Sequence, residues 1–180
     1  DFFAGNPFKA VPAFIVSSCL RSNPVMVYFG QELGEKGMDC EGFSGQDGRT
    51  TIFDYWNVDS IYRWSNRGRW NTHLLSEKEK ELRKTYETIL HICQKEQAIS
   101  KGEFFDLMYV NLNAWQMNEH KQYAFLRKYG QEVLFIMVNF SDTASQVAVN
   151  VPAHAFEYFK MTPSAQCNAK DLLTGKTEKI

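Results

Sequence analysis

The first hundred residues show apolar positions at helical spacing in two stretches, with one unbroken apolar run between them. In "NPFKAVPAFIVSSCL" Asn6 is placed to cap a helix and Pro7 to occupy its first position. Phe8, Val11, Ile15 and Cys19 follow near helical spacing, and Pro12 is tolerable only within the first turn or two. "PVMVYF" lacks alternation and is rich in β-branched and aromatic residues, which predicts a strand over 24–29 buried on both faces. Six glycines (Gly30, Gly34, Gly37, Gly42, Gly45 and Gly48) then mark a long loop over 30–58, and Phe43, Phe53, Tyr55 and Trp56 favour an ordered, functional one. "DSIYRWSNRG" predicts a short helix packing through Ile61, Tyr62 and Trp64. A longer helix over about 76–96 follows from the capping box Ser76/Glu79 and from the stripe Leu82, Tyr86, Ile89, Leu90 and Cys93.

Beyond residue 100 the period moves from 3.6 towards 2. "GEFFDLMYV", "QYAFLRKY", "EVLFIMVNF", "QVAVNV" and "FEYFKM" read as strands, separated by Gly130, "NFSDTAS" and "VPAHA". "MNEHKQ" reads as a solvated loop, and Thr174-Gly175-Lys176 as a turn launching one more strand. Short strands at this spacing imply an antiparallel sheet or sandwich. The single parallel-type strand at 24–29 cannot form a sheet alone, so its partners are expected outside this sequence or in another chain.

Composition narrows the class. The 180 residues are 44% hydrophobic and 14% aromatic, enough to build a core for one domain or two small ones. Twenty basic against 21 acidic residues leave a net charge of −1, with neither half strongly basic, which argues against a nucleic-acid binder. Cys19, Cys40, Cys93 and Cys167 are far apart and form no CxxC or Cys/His cluster, so no metal site is expected. Cys19 and Cys93 fall within apolar runs, as small core residues do. No membrane span or signal-peptide layout is visible. The start at Asp1 and the stop at Ile180, just after a turn, lead us to expect a longer parent chain.

Three segments resemble the α-amylase superfamily, glycoside hydrolase family thirteen. "NPVMVYFGQELGEKG" resembles the end of the last barrel strand, where members carry a G-x-P-x-x-Y-x-G-x-E type segment. Asn23 replaces the first Gly, while Pro24, Tyr28 or Phe29, Gly30 and Glu32 fit. "GRTTIFDYW" is similar to the R-x-P-x-x-W segment that follows, with Arg49 and Trp56 as its ends, a longer spacing and no Pro. "YAFLRKYGQEVLFIMVNFSD" is similar to the first hairpin of the C-terminal β-domain, an arginine-bearing strand leading to a hydrophobic strand that ends in N-F-S.

The resemblance implies α/β plus all-β architecture. Residues 1–100 would be the final helix–strand–helix part of a TIM barrel, and 101–180 an antiparallel β-sandwich, cut short. A complete (β/α)₈ barrel takes about 250 residues, so only its last portion fits here. The implied activity is retaining hydrolysis of α-glucosidic bonds in starch-type saccharides by an Asp nucleophile and a Glu acid/base. A second Asp, from an N-H-D motif, stabilises the transition state. None of those motifs occurs in this sequence, so no catalytic residue is assigned, and the piece alone is expected to be inactive. The implied substrate is an α-glucan or maltooligosaccharide, without cofactor or metal, and an oligomer or second chain could complete the barrel. A periplasmic or secreted location suits a polysaccharide-degrading enzyme.

Within this frame the candidate substrate-binding or rim residues are Gln31, Glu32, Arg49, Tyr55 and Trp56. Glu32 reads either as a carboxylate bracing the strand end or as a substrate contact. Arg49, Tyr55 and Trp56 either line a sugar subsite or anchor the loop. Retaining glycosidases need two carboxyls about 5–5.5 Å apart, for which Glu32 with Asp54 or with Glu35 could be nominated. Acidic residues in a glycine-rich loop are more often solvated, or paired with a base such as Arg49. "DCEGFSGQDG" does not match an EF-hand loop, and the four histidines stand beside no nucleophile motif. The alternative reading is a non-catalytic carbohydrate-binding or structural β-sandwich module. Exposed aromatics would then come from Phe104, Phe105, Tyr109, Phe156, Tyr158 and Phe159, which are equally good core residues.

Overall fold

The computed structural model describes residues 5–38, 58–163 and 167–179. The chain divides into two compact units, one of Asp1–Val11 with Val25–Glu87 and the other of Pro12–Pro24 with Thr88–Ile180.

In the first unit a 3₁₀ turn, Pro7–Ala10, starts where the sequence places it: Asn6 Oδ1 accepts the Phe8 N–H at 3.1 Å and Pro7 needs no donor there. The turn leads into α1 (Val11–Cys19), where Pro12 falls in the first turn and breaks no i→i−4 bond. Another 3₁₀ turn, Gln31–Leu33, precedes α2 (Asp59–Ser65). Leu33, Val58, Ile61 and Leu75 form a buried cluster in this unit, with Phe29 and Trp64 packed against it. Tyr62, expected to pack, points outward and is 45% exposed.

The helix α3 (Glu77–Lys95) realises the expected capping box. Ser76 Oγ accepts the Glu79 N–H at 3.3 Å, and Glu79 Oε2 accepts the Ser76 N–H at 2.7 Å. Leu82, Tyr86 and Ile89 are buried and Cys93 half-buried, whereas Leu90 has turned off the stripe and is exposed.

Residues 24–29 depart from expectation. No strand forms there, and the inward–outward alternation leaves Met26 82% exposed. A strand exists through its ladder, and no described segment of this chain offers one to residues 24–29.

The second unit is built on an antiparallel sheet of order β1–β2–β3, comprising β1 (Glu103–Asp106), β2 (Gln122–Tyr129) and β3 (Glu132–Asn139). Register pairs Phe105 with Leu126, and Leu126 with Phe135. Burial along the central β2 is continuous from Ala124 to Arg127 because both faces are covered. Phe125 packs with Cys19 and Ile99, and Leu134 and Ile136 of β3 join that side. Ala124 and Leu126, one residue out of phase, pack with Leu107, Met117, Ala155 and Phe159. The edge strand β3 alternates more openly, with Val133 and Phe135 turned outward.

Arg127 of β2 is 3% exposed and organises the helical side. Its Nε donates to Ala98 O at 3.0 Å, its Nη2 to Ile99 O at 2.7 Å and its Nη1 to Leu20 O at 3.0 Å. Those carbonyls lie just past the end of α1 and within α4 (Gln97–Ser100). Burial pushes the guanidinium pKa below its usual value. Glu132 accepts the Gln97 and Ala98 N–H groups at the other end of α4, at 3.2 and 3.0 Å. Gly102 follows α4 because a Cβ there would strike the carbonyl of Ala98 and lie 2.6 Å from that of Lys128.

Three further expectations in this unit are corrected. "QVAVNV" turns Val147 and Val149 inward as a strand would, but it forms no strand. Its N–H groups go to a loop instead: Ala148 to Gln116 O at 3.3 Å, and Asn150 to the Asn111 side chain at 2.8 Å. "FEYFKM" is not a strand either, since α5 (Ala153–Tyr158) covers its start, with Ala155 and Phe159 buried four apart on one face. "MNEHKQ" is solvated only in its middle, as Met117 and Gln122 are buried. The turn at 174–176 does launch a strand, β5 (Thr177–Lys179), which pairs antiparallel with β4 (Asn168–Lys170). The expected antiparallel sheets are thus present. Among the described residues no helix is long and apolar enough to cross a membrane.

Candidate functional site

The acidic, glycine-bearing loop over 30–38 is a compact turn held from within. Gly30 O accepts the N–H groups of Leu33 and Glu35, both at 3.0 Å. Gly34 sits at φ +76°, and a Cβ there would lie 2.8 Å from the Pro7 ring, so this reversal requires glycine. Leu33 drops into the apolar cluster, which fixes the turn over α2.

Two side chains brace the turn. Gln31 accepts the Tyr28 N–H through Oε1 at 3.0 Å and donates from Nε2 to the Tyr86 hydroxyl at 3.1 Å. Glu35 accepts from the Ser60 hydroxyl through one oxygen and from the Gly37 N–H through the other, the latter at 3.0 Å. Glu32 is half-buried beside them. Burial pushes the Tyr86 phenol pKa up, against the Gln31 hydrogen bond, and the Glu32 charge adds to the rise. The same unit holds a forked ion pair, in which Arg63 Nη2 lies 2.5 Å and Nε 3.2 Å from Glu79 Oε1. Burial opposes ionisation of Glu79, but hydrogen bonds from Arg63 and Ser76 outweigh it and hold the carboxyl below the usual range. A cavity of about 520 Å³ opens beside the turn, lined by Pro7, Phe8, Leu33, Leu82 and the acidic Glu79 and Glu81 among others.

Of the candidate residues, Gln31 and Glu32 lie in the 3₁₀ turn. Arg49, Tyr55 and Trp56, with Asp54, lie outside the described residues. The pattern nominates Glu35 as a carboxyl partner of Glu32, whereas its bond is to Ser60, 25 residues away and without a local signal. The pattern also misses Trp70, which is 56% exposed on a turn where Asn66, Arg67 and Trp70 all adopt positive φ. The "NRG" after α2 was the available clue. No group of three His, Cys, Asp or Glu among the described residues could hold a metal ion.

In the second unit the candidate aromatics separate by burial. Phe105 and Phe159 are core, Phe104 and Phe156 half-buried, and Tyr109 and Tyr158 each 48% exposed. Tyr109 Oη lies 3.1 Å from His154 Nδ1, and the rings of His154 and Tyr158 stand 5.2 and 5.6 Å from that of Phe105.

Comparison with known proteins bears on this second unit first. Residues 114–179, from the loop before β2 to the end of β5, match the model of the alpha amylase C-terminal all-beta domain. Over those residues the chain is similar to the C-terminal all-beta domain of the alpha-amylase family. The fold of the chain also superposes on the crystal structure of AmyP in complex with maltose, with a TM-score of 0.60 and 20% identity. That likeness covers 97% of this chain but 31% of AmyP, so the chain spans less than a third of that relative's length. None of the curated proteins matches the sequence.

Proposed function

We propose that this chain is the C-terminal portion of an α-amylase-like glycoside hydrolase that cleaves α-glucosidic bonds of starch-type saccharides with retention. The observation that carries the reading is the all-beta domain match at 114–179 together with a fold likeness extending over 97% of the chain. The maltose in the AmyP structure supports an α-glucan as substrate class. In this reading residues 1–100 finish a catalytic (β/α)₈ barrel and 101–180 form the β-domain. The segment 24–29, which has no ladder here, becomes the last barrel strand where chain outside these residues pairs with it. The loop from Gly30 sits on the C-terminal face, where barrel active sites are built. Gln31 and Glu32, with Arg49, Tyr55 and Trp56, contribute to the substrate rim. The nucleophile and acid/base lie upstream, and the enzyme works in the periplasm or outside the cell.

Two measurements test this. The encoded sequence immediately before Asp1 should contain an N-H-D motif, and its absence would remove the family reading of the first unit. The purified 180-residue chain should show no turnover of starch or maltooligosaccharides; turnover abolished by Glu32→Gln would place the chemistry in this chain instead.

The exposed pair Tyr109 and Tyr158 favours a second role, saccharide contact by the β-domain itself. Titrating the chain with maltoheptaose should then give binding heat that Tyr109→Ala with Tyr158→Ala removes. No heat from the unaltered chain would exclude it.

A further inference from the structure

The second unit contains a pair of thiols, packed in its core, that the proposed activity does not use. Cys19, the last residue of α1, and Cys93, in the last turn of α3, bring their sulfurs to 3.9 Å across 74 residues of sequence. We propose that Cys19 and Cys93 are an intrachain disulfide site that cross-links the end of α1 to the end of α3. This inference stands independently of the glycosidase reading.

The backbone around the pair is already fixed. Arg127 holds Leu20 O at 3.0 Å, directly after Cys19, and Cys93 lies within a regular α3. Ile15, Leu20, Ile92, Ile99 and Phe125 belong to the same apolar cluster as the two cysteines. Forming the bond means closing 3.9 Å to about 2.0 Å, a distance within reach of side-chain torsion. The Cys93 thiol also lies 3.8 Å from Ser18 O, a weak contact that the disulfide gives up.

The chemistry has an order set by exposure. Cys93 is half-buried and Cys19 buried, so an oxidant meets Cys93 first. The hydrogen bond with Cys19 holds the Cys93 thiol below its usual pKa, whereas the same bond and then burial push Cys19 up. With oxidised glutathione, the Cys93 thiolate attacks one glutathione sulfur, forming a mixed disulfide and releasing one glutathione thiolate. Cys19 then gives its proton to solvent, and its thiolate attacks the Cys93 sulfur, expelling the second glutathione thiolate. Both leaving thiolates take up protons. Two cysteine thiols lose two electrons, and glutathione disulfide gains them.

The test uses the full chain, equilibrated with oxidised glutathione, unfolded in iodoacetamide, digested and mapped by mass spectrometry. The expected product is a Cys19–Cys93 linked peptide, reversed by dithiothreitol and absent in Cys93→Ser. The melting temperature of the oxidised chain should rise by on the order of 5 °C. Recovery of both cysteines alkylated, glutathione retained on Cys93, or linkage to Cys40 or Cys167 instead would each overturn the proposal. The map of the unaltered chain decides the question even if a variant folds poorly.

Discussion

Replacing Arg127 with Met should be among the most damaging single changes in the second unit. Methionine fits the volume of the aliphatic stem but offers none of the three N–H groups that reach Leu20 O, Ala98 O and Ile99 O. A hydrogen bond to a charged group contributes about 1.5–3 kcal/mol, and an orphaned buried carbonyl costs about 1–3 kcal/mol. Relief of the guanidinium's own desolvation offsets part of the sum, which leaves a net loss of about 3–4 kcal/mol. Arg127→Lys keeps the charge, yet an ammonium cannot reproduce the planar fork, so it should recover less than half of that loss. Urea unfolding followed by circular dichroism at 222 nm is the assay. The midpoint should fall by about 1 M or more with an unchanged slope, given slopes of about 1–3 kcal/mol/M. Because the acceptors are carbonyls rather than a carboxylate, added NaCl should leave the loss unaltered. A loss below about 1 kcal/mol, or wild-type stability in Arg127→Lys, would refute the claim that this fork ties the helices to the sheet.

Four further outcomes follow from other sites in the fold. Gly102→Ala drives a Cβ into the carbonyls of Ala98 and Lys128 and should cost about 1–3 kcal/mol, read as a lower melting temperature. Asn111 is fully buried and donates to Leu107 O at 2.7 Å and Asn150 O at 3.0 Å, so Asn111→Asp sets a carboxylate against two carbonyls. It should cost about 3 kcal/mol at neutral pH and less in acid, where the protonated group regains a donor; a pH-independent loss would count against this. Tyr86 has a folded pKa raised above its unfolded value, so its contribution is complete below about pH 10 and disappears as pH rises through the folded pKa. Urea midpoints between pH 8 and 11 should fall more steeply for the wild type than for Tyr86→Phe. Glu79 has a lowered pKa, so its contribution is present above about pH 4.3 and is lost as pH falls through the folded value; Glu79→Gln should flatten the acid limb of the stability curve.

Legibility in the sequence tracked how local each determinant was. The Asn6 cap, the Ser76/Glu79 box and the β2–β3 hairpin around Gly130 depend on residues a few positions apart, and all three appear where the pattern places them. The segment 24–29 has strand composition, but composition cannot supply a ladder, and residues 146–151 show the same failure with a loop and an asparagine side chain as partners. At α5 the period is helical and not two: Ala155 and Phe159 share a face at helical spacing behind Pro152 at the cap, signals that the aromatic density masks. The first-unit turn was visible through its glycines. Its braces were not, because Ser60 and Tyr86 reach it from 25 and 55 residues away.

The burial of β2 on both faces has a consequence in time as well as in energy. Amides from Tyr123 to Arg127 exchange with solvent only when the helical layer and the α5 layer have both opened, so they should be the last in the second unit to take up deuterium. The outward side chains of β3 protect nothing beneath them, and the adjoining edge should exchange first. A drift of sequence over generations would follow the same gradient, free at Val133 and Phe135 and nearly frozen from Ala124 to Arg127.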